Sequence, residues 1–347
     1  MRILWGIHLY PPIHNCGAEY VAHNINKYLI SKGHDVRVLN LQSGIPHYSH
    51  DGVEVYGNIK SIDPFQWGDV VLTHLDYTRY VINVARMVKK PVVHFVHNSS
   101  KYEEVEGADR QQFVVYNSKW IAEALNYSHK SMVLYPPCPV KQYQTGKPSI
   151  DNEYITLINL NENKGGCILL RLAREMPERK FLGVIGSYDD GGIMPQIVND
   201  LRALSNVRVM DHNDNVRGIY AQTRILLVPS RYESWGRVAT EAMINGIPVL
   251  ACPTKGLIEN CKGGAIFVNP RGDKTTDIYG DILSHDGDSY DTSLLKYFIN
   301  SLDDPEEYVH YSEAAIKRSL ELEDDYEKQI LEFEKFLFHA KEVYQRK

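Results

Sequence analysis

Two glutamates eight positions apart, Glu233 and Glu241, flank Gly236 in RILLVPSRYESWGRVATEAMINGIPVL, residues 224–250. Residues 225–228 read as a buried strand that Pro229-Ser230 stops. Residues 238–243 have helical composition, and Gly246-Ile247-Pro248 ends the helix before another apolar strand. A strand feeding a glycine-containing turn and a helix start makes an anion site, because unpaired N–H groups and the helix dipole both face the ligand. This places Glu233 beside the anion and Glu241 about one turn deeper along the helix. His97 closes an apolar run, at the strand end where ligands of open α/β sheets gather. His8, His14 and His94 are weaker candidates, structural or part of an acceptor site. No H-E-x-x-H and no Asp-x-Asp pair follows a strand, so no metal site is expected. Asp189-Asp190 and the Asp286/Asp288 pair read as solvated loop charges. The absence of G-x-G-x-x-G, P-loop and G-x-S-x-G motifs argues against dehydrogenase, kinase-type NTPase and α/β-hydrolase chemistry.

The elements that must position these residues alternate along the chain. In the first half, strands are expected at 2–7, 36–41, 70–73, 92–97, 113–116 and 132–135. Helices are expected after Gly17, with Val21, Ile25, Tyr28 and Leu29 on one face, and around 80–87 and 120–125. Residues 141–152 (KQYQTGKPSIDN) read as a linker, after which strands are expected at 154–158, 181–185, 207–210, 225–228, 248–251 and 265–268. Strands alternating with helices mean βαβ units and parallel sheets. With 347 residues, too many for one ordinary core, the expectation is two domains, 1–148 and 149–324. A terminal helix, 325–347, carries Tyr326, Ile330, Phe333, Leu337, Ala340 and Tyr344 on one stripe and needs a partner surface, which can be the first domain. Residues 271–291, rich in Asp, Gly and Ser, read as a surface insertion.

A hydrophobic fraction of 43% and a charged fraction of 24% are those of a soluble globular protein. No apolar run has the length of a membrane span, and the N-terminus lacks a signal-peptide pattern. The five scattered cysteines are expected as free thiols in a reducing cytoplasm. Residues 1–150 hold 15 Lys and Arg against 12 Asp and Glu, and ten of the 14 histidines; residues 151–347 hold 23 against 32. That asymmetry suits either an anionic partner for the first half or ordinary surface variation.

The stretch ILLVPSRYESWGRVATEAMINGIPVLA resembles the signature of the retaining glycosyltransferases of family four, which have the GT-B fold. HNCGAEYVAHNINKYLISKGHDVRVL resembles that family's glycine loop and first helix, and VVHFVHNSS its strand ending in an active-site histidine. VVYNSKWIAEAL, VLYPPCPV and ITLINLNENKGGCILLRLAREMPERKFLGVIG match further elements in order, across roughly residues 1–268. The resemblance implies an α/β GT-B architecture, two Rossmann-like doubly wound domains facing an inter-domain cleft, with the nucleotide-sugar donor held by the second domain and the acceptor on the first. It implies that Lys164 clamps the donor phosphates, that Glu241 accepts hydrogen bonds from the ribose hydroxyls, and that Glu233 and His97 lie near the transferred sugar. Ser234, Trp235 and the backbone at Gly236, Arg237 and Val238 would complete the donor site. Gly17 would let backbone approach the diphosphate, although Cys16-Gly17 stands where the family often has two glycines. The arginine usual five positions before the lysine is Asn159 here, which leaves Arg237 or another arginine as second cation.

The activity so implied is metal-independent transfer of a sugar with retention, without a cofactor, from a UDP-sugar or a GDP-sugar, UDP being favoured. The acceptor is a hydroxyl, a glycan or a lipid-linked sugar, the latter with peripheral membrane contact. Two other readings stay open: glycosylation of a hydroxymethylated DNA base, which would make DNA binding steeply salt-dependent, and nucleotide-sugar epimerisation on the same fold. A carbohydrate- or nucleic-acid-binding protein without activity is the rival from another class, and the intact Lys164, Glu233 and Glu241 set argues against it.

Overall fold

Val-, Ile- and Leu-rich runs without polar alternation build two parallel sheets in the computed structural model. It describes residues 1–14, 16–42, 44–59, 61–99, 112–125, 130–186, 192–212, 215–270 and 291–345. The chain divides into two units, Met1–Pro137 with Asp325–Lys347, and Cys138–Asp324. Residues 271–290 of the expected insertion lie outside the described residues, as do Asp189-Asp190 and the Asp286/Asp288 pair.

The first unit runs β1 (Arg2–Ile7), α1 (Gly17–Ser31), β2 (Asp35–Asn40), β3 (Tyr48–His50), β4 (Val53–Tyr56), α2 (Asp63–Trp67), β5 (Val70–His74), α3 (Thr78–Met87), β6 (Val92–Val96), β7 (Gln112–Tyr116), α4 (Lys119–Leu125) and β8 (Ser131–Val133). Its eight strands lie in the order β3-β4-β2-β1-β5-β6-β7-β8, parallel except for β3, which pairs antiparallel with β4 at the edge. That β3–β4 pair falls in the Gly-, His- and Tyr-rich connection, where no strand is expected from the pattern. Strand alternation supplies two cores. Ile3, Trp5 and Ile7 pack with Ile25 and Leu29 of α1, while Leu4 turns to the other face with Val81, Ile82 and Ala85 of α3.

The second unit runs α5 (Val140–Tyr143), β9 (Tyr154–Ile158), α6 (Gly166–Glu175), β10 (Lys180–Val184), α7 (Met194–Arg202), β11 (Val207–Met210), α8 (Val216–Tyr220), β12 (Thr223–Val228), α9 (Arg237–Ile244), β13 (Val249–Ala251), α10 (Lys255–Cys261), β14 (Ile266–Phe267), α11 (Ser293–Ser301) and α12 (Pro305–Gln345). Its six strands are all parallel, in the order β11-β10-β9-β12-β13-β14. The expected linker packs with this unit. Arg237 donates to the Tyr143 hydroxyl at 2.6 Å, and the Asn245 side chain bonds the Thr145 amide and the Tyr143 carbonyl.

The last helix is counted with both units, the break falling at Asp324/Asp325. Its terminal stripe has the partner it requires: Ile330, Phe333, Leu337 and Ala340 are buried in the first unit's core, and Glu334 receives His34 Nε2 at 2.9 Å. Among the described residues no helix is long and apolar enough to cross a membrane. All five cysteines are free thiols.

Candidate active site

In the second unit the chain passes from β9 to β10 on one side and from β12 to β13 on the other, so the switch of strand order lies between β9 and β12. Loops leaving neighbouring strands at such a point diverge and open a crevice at the strand ends. The β9 loop carries Asn159 to Lys164, and the β12 loop carries Pro229 to Gly236. Asn161 caps the turn between β9 and α6, its Oδ1 accepting the Lys164 amide at 2.9 Å. Gly165 then takes φ 101°, where a Cβ would meet Pro229 Cγ at 2.4 Å, so glycine is what lets the two loops close together.

Lys164 Nζ lies 2.6 Å from Glu233 Oε1, and Ser230 Oγ donates to the same oxygen at 2.8 Å. Between the same two loops the Arg231 guanidinium meets Glu162 Oε1 at 2.6 Å, both side chains under a tenth exposed, and the Arg231 amide donates to the Asn163 carbonyl. At the start of α9, Gly236 takes φ 85° and a Cβ would meet Leu257 Cδ2 at 2.5 Å. Asn260, fully buried on α10, holds this turn by donating to the Trp235 and Gly236 carbonyls. α9 starts at this turn, close to Glu233, and a helix start is where backbone amides can be offered to an anion. Gly236→Ala is expected to lower the second unit's stability by about 1–3 kcal/mol, through the positive φ and the Leu257 overlap. Urea denaturation of the variant measures it, and an unchanged midpoint would refute the steric account.

Glu241 is buried along α9. Its Oε2 accepts from the Tyr220 hydroxyl at 2.7 Å and its Oε1 lies 3.1 Å from Arg237. Each oxygen keeps a lone pair for a further donor. Burial, with Glu241 adding to it, pushes the Tyr220 hydroxyl well above its usual range, so it stays a donor. The structure therefore joins Lys164 with Glu233, and Arg237 with Glu241. Asn159 stands apart from both pairs, at φ 72° with its Oδ1 accepting the Asn161 amide. Val238 continues the first turn of α9 beside them, Trp235 is buried, and Ser234 is partly exposed in the turn.

In the first unit the corresponding switch lies between β1 and β5. His97 is there, following β6, with its Nε2 2.9 Å from His74 Nδ1 and its carbonyl held by Asn117 Nδ2. Burial lowers the His97 imidazole to about 4 and His74 well below the usual range, so both are neutral at pH 7. Gly17 opens α1 and is exposed, and Glu19 in the same first turn is buried 3.1 Å from His8 Nε2. Burial opposes the Glu19 charge, yet the His8 and backbone hydrogen bonds outweigh it and keep the carboxyl below its usual range.

His94 is separate from this group. Burial lowers it to about 3, and neither ring nitrogen has a hydrogen-bond partner among the described residues. Between pH 3 and about 6.5 the unfolded chain binds a proton that the folded chain refuses, so stability rises with pH across that window and falls on acidification. His94 alone is expected to cost about 2 kcal/mol between pH 7 and pH 5. His94→Leu reduces the slope by that amount, leaving the share of His74 and His97, and keeps stability at pH 7 equal or higher. Thermal melts at the two pH values check it, and a variant with the unaltered slope would exclude His94 as the source.

The sequence pattern carries no sign of Asn260, Tyr143, Tyr220 or the Glu162–Arg231 pair, whose side-chain partners lie 18 or more positions away. His74 did leave one: like His97 it sits at the C-terminal end of an apolar run.

No curated protein matches the chain. Residues 153–284 match the family model described as glycosyl transferases group 1. Among solved structures, HepE of Anabaena with UDP-glucose is 18% identical with a TM-score of 0.73, covering 96% of this chain and 99% of its own. Sucrose-phosphate synthase of Thermosynechococcus elongatus is 16% identical with a TM-score of 0.73, covering 98% and 100%. A glycosyltransferase of Rickettsia africae is 13% identical with a TM-score of 0.69, covering 96% and 98%. The chain thus has the fold of the GT-B glycosyltransferases, two parallel-sheet α/β units, and the stretch that matches the glycosyl transferases group 1 model lies in its second unit.

Proposed function

We propose that the protein transfers a sugar, with retention of anomeric configuration, from a nucleotide-sugar to a hydroxyl of a glycan or lipid-linked sugar. The observation that carries this reading is the Lys164–Glu233 pair at the β9/β12 switch, 2.6 Å apart beside the N-terminus of α9. When the glycosidic bond to the diphosphate breaks, negative charge grows on the leaving phosphate. An ammonium and fixed N–H donors at that point stabilise the transition state more than the ground state. Lys164 releases Glu233 to take the phosphate, and Glu233 is then left to accept from a hydroxyl of the sugar. Glu241 receives the ribose hydroxyls on the lone pairs that Tyr220 and Arg237 leave open. Gly17 and His97 are proposed as donor contacts of the first unit, His97 as a neutral hydrogen-bonding ring.

The acceptor hydroxyl attacks the anomeric carbon on the face the phosphate leaves, and a departing phosphate oxygen takes its proton. No protein nucleophile or separate base is then required. Charge neutralisation by Lys164 and amides makes added Mg²⁺ or Mn²⁺ unnecessary for the leaving group. UDP-sugars are the favoured donors, supported by the UDP-glucose complex of HepE. Five free thiols suit a reducing cytoplasm, where nucleotide-sugars are available.

The test is a thermal-shift panel of UDP- and GDP-sugars, followed by NMR of the product anomer. The reading expects a raised melting midpoint with one nucleotide class and a product with the donor's anomeric configuration. An inverted product would refute retention. An isomerised donor formed without acceptor would replace transfer with epimerisation.

A further inference from the structure

We propose that His8, Glu19 and His74 form a binding site for a divalent transition-metal ion of the Zn²⁺ class, which fastens the loop after β1 and the first turn of α1 to the end of β5. One ligand atom from each residue lies within 4.8 Å of the other two, and His8 Nε2 is 3.1 Å from Glu19 Oε1. Glu19 and His74 are at most 1% exposed. Glu19 Oε2 and His74 Nε2 are buried with no hydrogen-bond partner among the described residues. A carboxylate oxygen and an imidazole nitrogen left so are costly unless a ligand fills them.

The donor set decides the class of ion. Two imidazoles and a carboxylate suit zinc and its neighbours, whereas Mg²⁺ and Ca²⁺ require oxygen shells. Zinc bonds of about 2.0–2.2 Å place ligand atoms roughly 3.3 Å apart, so side-chain rotation closes the group around an ion. His14 Nδ1, 3.6 Å from the same Glu19 oxygen, is at hand as a fourth ligand. His74 Nδ1 is already engaged with His97 Nε2 at 2.9 Å. With the proton on Nδ1, the Nε2 lone pair is presented to the ion, the arrangement by which an outer partner orients a metal-bound histidine.

A second triplet, His23, His50 and Asp51, is a poorer site. Both His23 nitrogens are engaged, with the Tyr10 hydroxyl and Asp51, and Lys27 already supplies a cation 3.2 Å from Asp51. The ligands adjoin Gly17 and His97, but metal binding is read without any nucleotide-sugar, so it can fail or hold separately from the glycosyl-transfer reading.

The experiment uses the full chain, freed of metal with a chelator and titrated calorimetrically at pH 7.5 with Zn²⁺ and, in parallel, Mg²⁺. One Zn²⁺ per chain, a raised melting midpoint and no response to Mg²⁺ are expected. Co²⁺ in place of Zn²⁺ should give the visible d–d bands of a low-coordinate site. Glu19→Gln and His8→Gln should each weaken Zn²⁺ binding roughly a hundredfold or more. His8 is partly exposed, so its variant gives the answer if Glu19→Gln does not fold. Less than one Zn²⁺ per chain, unchanged affinity in His8→Gln, or loss of binding in His50→Gln instead would overturn the proposal.

Discussion

Lys164→Ala is expected to lower kcat/KM for the nucleotide-sugar roughly 10²–10³-fold, the size seen when one preorganised stabiliser of a developing oxyanion is removed. The reason is local. Lys164 is held by the Asn161 cap and the Gly165 turn against the β12 loop, and its ammonium is the cation on Glu233. The substitution costs little folding energy, about 1 kcal/mol or less, because the Lys164 side chain still meets solvent. A melting curve near that of the parent chain would therefore accompany the lost turnover. Lys164→Arg should recover part of it by retaining charge without the same point geometry. Steady-state kinetics with the donor found in the thermal-shift panel decides the matter, and near-parental turnover of Lys164→Ala would sink the site assignment. Glu241→Ala should act differently, through a KM raised tenfold or more, since the ribose contacts proposed for it would serve ground and transition states alike.

The second large effect falls on stability. Arg231→Met should destabilise the second unit by about 3–5 kcal/mol, because it leaves the buried Glu162 carboxylate without its guanidinium. The pair joins the β9 and β12 loops that carry Lys164 and Glu233, and the Arg231 amide to the Asn163 carbonyl is a second stitch that survives the change. Glu162→Leu combined with Arg231→Met should return most of the loss, as a packed apolar pair avoids the desolvation of both charges. Guanidinium unfolding of the two variants and the parent gives the comparison. A single variant within 1 kcal/mol of the parent would show that the pair is not the buried clamp its geometry describes. If the double variant is stable but turns over slowly, the pair also positions Lys164.

Much of the fold is legible along the chain because parallel strands buried on both faces are continuous apolar runs. β1, β9 and β11 begin and end where their Val, Ile and Leu content predicts. β3 and β4 escape notice because they form the edge of the sheet, where Tyr48, Ser49 and Glu54 face solvent in part and blur the alternation. The helices α7, α8, α10 and α11 are short or polar on their outer faces, and α12 starts at Pro305, well before its apolar stripe.

The chain order by itself determined the local half of the candidate site. Lys164 before two glycines, and Glu233 and Glu241 around Gly236, are readable because strand, turn and helix start follow one another within a few residues. Sheet order decided the rest. It set β9 against β12, so that Lys164 meets Glu233 from 69 positions away and Arg231 meets Glu162 at the same separation. It also set β5 between β1 and β6, gathering His8, Glu19, His74 and His97 at the C-terminal ends of these central strands. Parallel strands are joined by crossover helices that can lie to either side of the sheet. Linear spacing therefore carries no record of which strand ends become neighbours; burial of both sheet faces does.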